Sequence, residues 1–85
     1  MNKLYNTNEL QYSQLPNELK QLELNNSQLL IEEPLPISLH SLIVLHKSNL
    51  LNTNLNLFSH LISLHIENSF LIVEEFPQSL KYLKL

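Results

Sequence analysis

Cysteine, glycine, alanine, aspartate, arginine and tryptophan are all missing from this 85-residue chain. Each absence removes a class of chemistry. Without Cys there are no disulfides, thiolate nucleophiles or sulfur-held metals, which fits a reducing compartment. Without Gly there is no glycine-rich phosphate loop and no nucleophile elbow. Without Arg there is no bidentate fork for phosphate or guanine. Five scattered Lys residues make no basic stripe for nucleic acid, and the net charge is -3 with all eight acids Glu. No apolar run approaches the length of a membrane span, and the polar start "MNKLYNTNELQYSQ" lacks the apolar core of a signal peptide. These absences predict a soluble, cytoplasmic protein with no nucleic-acid and no membrane partner. "NNS" at Asn25 matches a glycan acceptor in form, but no secretory signal supports its use.

What the chain has in excess is leucine, about a quarter of its residues. The leucines recur in a ten-residue phrase: "LPNELKQLEL" from Leu15, "LPISLHSLIV" from Leu35, "LFSHLISLHI" from Leu57 and "FPQSLKYLKL" from Phe76. Successive starts are 20, 22 and 19 residues apart. Four columns are apolar in every copy: Leu15/Leu35/Leu57/Phe76, Leu19/Leu39/Leu61/Leu80, Leu22/Leu42/Leu64/Leu83 and Leu24/Val44/Ile66/Leu85. Pro16, Pro36 and Pro77 form a fifth column, with Phe58 as the exception. The phrase ends in strict alternation, the period of a strand with one buried face. Proline cannot donate a ladder hydrogen bond, so it belongs before that strand. The polar patches "NNSQ", "HKSN" and "ENSF" follow. Asn tolerates left-handed backbone and makes this turn without Gly. Apolar pairs then turn inward again: Leu29 with Ile31, Leu50 with Leu51 and Leu71 with Val73. The return to the next phrase has room for an extended piece or one helical turn.

L-x-x-L-x-L followed by a polar turn and another Leu resembles the leucine-rich repeat family. The "LPxSLxxLxL" phrasing is similar to the FNIP-type repeats and to the short repeats of bacterial effectors. The resemblance implies an α/β-type, strand-dominated solenoid. It implies a short parallel sheet of about four strands on the concave face, with mostly extended or single-turn convex segments. Residues 15–85 are the array, with copies starting near 15, 35, 57 and 76 and the last truncated. Residues 1–14 are a partial N-terminal coil or cap in which Leu4 or Tyr5 ends a preceding strand. The family places an Asn three residues after the last strand Leu; here Ser27, Lys47 and Ser69 hold that position. Lys47 cannot accept a bond there. An extra residue near Ser48-Asn49 predicts an irregular second turn.

Stacked in parallel, the outward residues form columns. One is Gln21, Ser41, Ser63 and Tyr82; the next is Glu23, Ile43, His65 and Lys84; the strand exits add Asn25, Leu45 and Glu67. The family generally binds proteins on this face, which makes these residues the candidate partner-binding set. Ile43 and Leu45 are its unusual members, being apolar and outward. The alternative is a local register irregularity that buries Leu45 in place of Val44. His40, His46, His60 and His65 fall in different parts of the coil and are not expected to converge on a metal. Ser63, His65 and Glu67 alternate along one strand about 7 Å apart, too far for a triad. No catalytic residue, metal or cofactor is expected.

The acidic pairs Glu32-Glu33 and Glu74-Glu75 precede the next phrase and read as solvated corners that keep apolar runs soluble. The expected function is non-enzymatic protein-protein interaction. The rival is a fragment of a longer repeat protein, a substrate adaptor or effector with no independent activity. Its edge after Leu85 would serve further repeats or self-association.

Overall fold

The computed structural model describes residues 3–6, 15–30, 35–51, 60–69 and 76–85, with the backbone alone at Tyr5, Asn6 and Leu51. Expectations for Ile31, the acidic pairs, Leu57, Phe58, Leu71 and Val73 lie outside those residues. The described residues form seven strands: β1 (Lys3–Asn6), β2 (Gln21–Asn25), β3 (Gln28–Leu30), β4 (Ser41–Leu45), β5 (Asn49–Leu51), β6 (Ser63–Glu67) and β7 (Tyr82–Lys84). No helix occurs among the described residues. Five strands make one parallel sheet in the order β1-β2-β4-β6-β7, and β3 pairs with β5 in a second parallel sheet.

Each phrase contributes one strand to the larger sheet, and the phrases pair in register. Leu22, Leu42, Leu64 and Leu83 stand side by side, as do Leu24, Val44 and Ile66. Parallel neighbours need a crossover of a dozen or more residues, which the spacing of about 20 supplies. A one-residue slip would turn every inward Leu outward, so the alternation itself fixes the register. The expected four strands become five because residues 3–6 form a complete partner for β2. Leu4 pairs with Leu22 and packs on the core, while Asn6 takes the position opposite Leu24. Leu4 and Tyr5 are therefore inside the strand, which ends at Asn6.

Among the described residues the core forms one cluster. Leu19, Leu22, Leu24, Leu39, Leu42, Val44, Leu61 and Leu64 come from the phrases, and Leu29 and Leu50 close it from the smaller sheet. Leu29 and Leu50 pair directly and are buried. Leu51 pairs with Leu30 through its backbone, and the expectation for its side chain lies outside the described residues. Burial falls toward β7: Leu80 is half-buried, Leu83 is 44% exposed and Leu85 74%.

The proline opens a turn that recurs. The amides of Leu19, Leu39 and Leu80 donate to the carbonyls of Pro16, Pro36 and Pro77 at 3.3, 3.0 and 3.1 Å. These are four-residue turns that bring the second Leu of those three phrases inward. The next step links copies. The amides of His40 and Ser41 both donate to the Lys20 carbonyl, those of Ile62 and Ser63 to the His40 carbonyl, and those of Lys81 and Tyr82 to the Ile62 carbonyl. The Ser of "LPxSL" adds a side-chain bond. Ser38 Oγ donates to the Leu19 carbonyl at 2.7 Å and Ser79 Oγ to the Leu61 carbonyl at 2.6 Å. Each satisfies a backbone acceptor just below the ladder.

After the strands, Asn26 and Asn68 have φ of 53° and 50°. Asn visits this left-handed region more readily than most residues. The second turn uses two such residues, His46 at 50° and Lys47 at 66°. That absorbs its extra residue and brings Ser48 opposite Ser27, since Gln28 pairs with Asn49. Ser48, not Lys47, thus takes the polar position inside the turn. Both serines are buried, and the Ser27 amide donates to Ser48 Oγ at 2.9 Å. The irregularity lies in the backbone dihedrals, and the stacking passes through it unchanged.

Candidate functional site

The face of the larger sheet turned away from the leucine core carries three rows of side chains. Strand alternation puts odd-numbered residues of β2, β4 and β6 on it, and the register aligns them. The first row is Lys3, Gln21, Ser41, Ser63 and Tyr82. The second runs from Glu23 through Ile43 and His65 to Lys84, with the Tyr5 backbone beyond Glu23. The third is Asn25, Leu45 and Glu67. Neighbours within a row are about 4.8 Å apart and rows about 6.6 Å apart.

All ten candidate residues, with Asn25, occupy the columns assigned to them. Gln21, Glu23, Asn25, Ser41, Ile43, Leu45, Ser63 and His65 are half-buried. Glu67, Tyr82 and Lys84 are exposed, Tyr82 at 66%. Val44 is fully buried, so β4 keeps the regular alternation and Leu45 faces outward beside Ile43. Two branched aliphatic side chains therefore stand next to each other on the middle strand, with carboxylates on both flanks. Glu23 is directly across from Ile43, and Glu67 directly across from Leu45.

His65 and Glu67 approach more closely than their backbone spacing implies. His65 Nε2 lies 3.8 Å from Glu67 Oε1. Their long side chains lean together along the strand, closing much of the gap of about 7 Å between alternate residues. The contact remains beyond hydrogen-bonding distance, and Nε2 is shielded from solvent with no hydrogen-bond partner among the described residues. His40 and His60 are exposed elsewhere, and His46 sits in the left-handed turn. No three metal-ligating side chains gather among the described residues.

Lys3 is a member of the first row that the phrase-by-phrase reading passed over. Its signal was the match of "KLYN" to "QLEL", weakened because Asn6 stands where a Leu would complete the pattern. The serines that tie copies together were also missed as a set. The recurrence of Ser38 and Ser79 at one phrase position is the clue that would have found them. The face as built offers apolar contact at Ile43 and Leu45, an aromatic ring at Tyr82 and carboxylates at Glu23 and Glu67. No helix among the described residues is long and apolar enough to cross a membrane. No family model, curated protein or solved structure matches the chain.

Proposed function

We propose that the chain is a protein-interaction module, a short solenoid of the leucine-rich-repeat type that binds a partner protein through the outward face of its five-stranded sheet. The reading is of a cytoplasmic, non-enzymatic protein that needs no cofactor. Its main support is the adjacent pair Ile43 and Leu45. Nothing in the packing of the core requires apolar residues there, since Leu42 and Val44 already fill the inward positions of β4. The buried centre of an interface is more apolar than its polar rim, and aromatic rings such as Tyr82 are over-represented among its energetic anchors. The in-register stacking of phrases is what supports the solenoid reading.

The test is partner recovery by the native chain, by Ile43→Ser and by Tyr82→Ala, each first shown to keep the native far-ultraviolet dichroism. Loss of a central anchor weakens binding by 1 kcal/mol or more, roughly fivefold or greater. Equal recovery by all three proteins removes the outward face from consideration.

A second reading is favoured by the exposed leucines of the β7 edge, Leu83 and Leu85. In it the phrases belong to a longer repeat protein, an adaptor or effector, and have no activity alone. A monomer that melts in one cooperative transition argues against it.

A further inference from the structure

We infer that the partner segment bound by this face is an extended, basic one: an apolar side chain seated between Ile43 and Leu45, with a cationic side chain two residues away on each side. The inference rests on the proposed interaction function and names the chemistry of its partner.

The geometry comes from the register. Glu23 on β2 and Glu67 on β6 are separated by two strand spacings across the sheet and by two residues along it. With about 4.8 Å between strands and 3.3 Å per residue, the two positions are about 12 Å apart. The midpoint of that line falls on β4, between Ile43 and Leu45. An extended peptide advances about 13 Å in four residues, and its residues i, i+2 and i+4 share one face. A segment of the form basic-x-apolar-x-basic, laid obliquely across the strands, matches all three points at once.

The charge distribution agrees. The carboxylates lie beside the aliphatic pair, whereas the cations of this face lie at its margins, Lys3 on β1 and Lys84 on β7. Lys47 follows in the turn beyond β4. Beside Glu67 the nearest cationisable group is the His65 imidazole, at 3.8 Å and not hydrogen-bonded to it. The net charge of -3 adds a long-range attraction for a basic partner and repels an acidic one.

The experiment uses the full chain, isotopically labelled for amide spectra, and three blocked pentapeptides: Lys-Ser-Leu-Ser-Lys, its Glu-for-Lys counterpart and its Ser-for-Leu counterpart. The first peptide should shift the amides of Glu23, Ile43, Leu45 and Glu67 saturably, and the other two should bind more weakly. Glu23→Gln and Glu67→Gln should each weaken the first peptide about two- to fivefold, the range of an exposed ion pair. The effect should shrink at high salt. No saturable shift, or equal binding of the acidic peptide, overturns the inference. The two proposals fail separately. If Ile43→Ser lowers recovery of a natural partner while both Glu→Gln variants recover it fully, the basic segment is wrong and the interaction face stands. If Ile43→Ser and Tyr82→Ala have no effect either, both fall.

Discussion

Ser48 is a small residue with a large structural consequence. It is fully buried, and its Oγ accepts the buried Ser27 amide across the stack. Ser48→Ala keeps the volume nearly unchanged and removes that acceptor. Stranding a buried backbone donor costs about 1–3 kcal/mol. The expected result is a lower urea midpoint with an unchanged denaturant slope. An unaltered midpoint shows that water or relaxation replaces the bond. The position was not legible from spacing alone. Counted from the strand, Lys47 falls there; counted back from Leu50, Ser48 does. Only the second left-handed residue, Lys47 at φ 66°, reconciles the two counts. Asn26 and Asn68 were legible because Asn favours that conformation locally. His is enriched in that region too, but Lys47 carries no such local preference. The backbone of both is held by hydrogen bonds to the stacked neighbours, His46 to the Glu67 carbonyl at 3.1 Å and Lys47 to the Asn68 carbonyl at 2.6 Å.

At the scale of the element, a strand is worth what its neighbours bury. Leu42 on β4 has a strand on each side and no exposure; Leu83 holds the matching position on β7 and is 44% exposed. Leu42→Ala should cost about 2–5 kcal/mol, the range for a filled core site. Leu83→Ala, at an edge, should cost well under half as much. Thermal or urea unfolding of the two variants measures this, and equal losses would mean that β7 is covered in solution. The inward and outward faces of β2, β4, β6 and β7 were readable because a period of two leaves no freedom once one face is apolar. β1 was readable only in outline. It has one inward Leu where β2, β4 and β6 have two inward apolar residues, so its pairing depends on β2 rather than on its own pattern. The side-chain bonds from Ser38 and Ser79 were hidden for another reason: Ser is common in loops, and its acceptor lies 19 or 18 residues away.

Over the whole molecule, the five-stranded sheet has two edges among the described residues, β1 and β7, and each carries lysine. Lys3 is exposed on β1, and Lys81 and Lys84 are exposed on or beside β7. An edge strand presents unpaired backbone groups that invite another strand, and charge on it is a common deterrent. The deterrent has most to oppose at β7, where Tyr82, Leu83 and Leu85 add exposed apolar surface to the open ladder. A second molecule pairing there would bring its own apolar edge against these side chains, and the two lysines would have to be desolvated or pushed aside. Replacing both with valine, Lys81→Val and Lys84→Val, raises strand propensity and removes the charge together. The double variant should self-associate at protein concentrations where the native chain does not, as read by sedimentation across a dilution series. Adding salt should move the native chain toward the variant, because screening weakens the lysine repulsion. If the variant sediments like the native chain at every concentration and salt, the lysines do not guard this edge, and its protection comes from outside the strand itself.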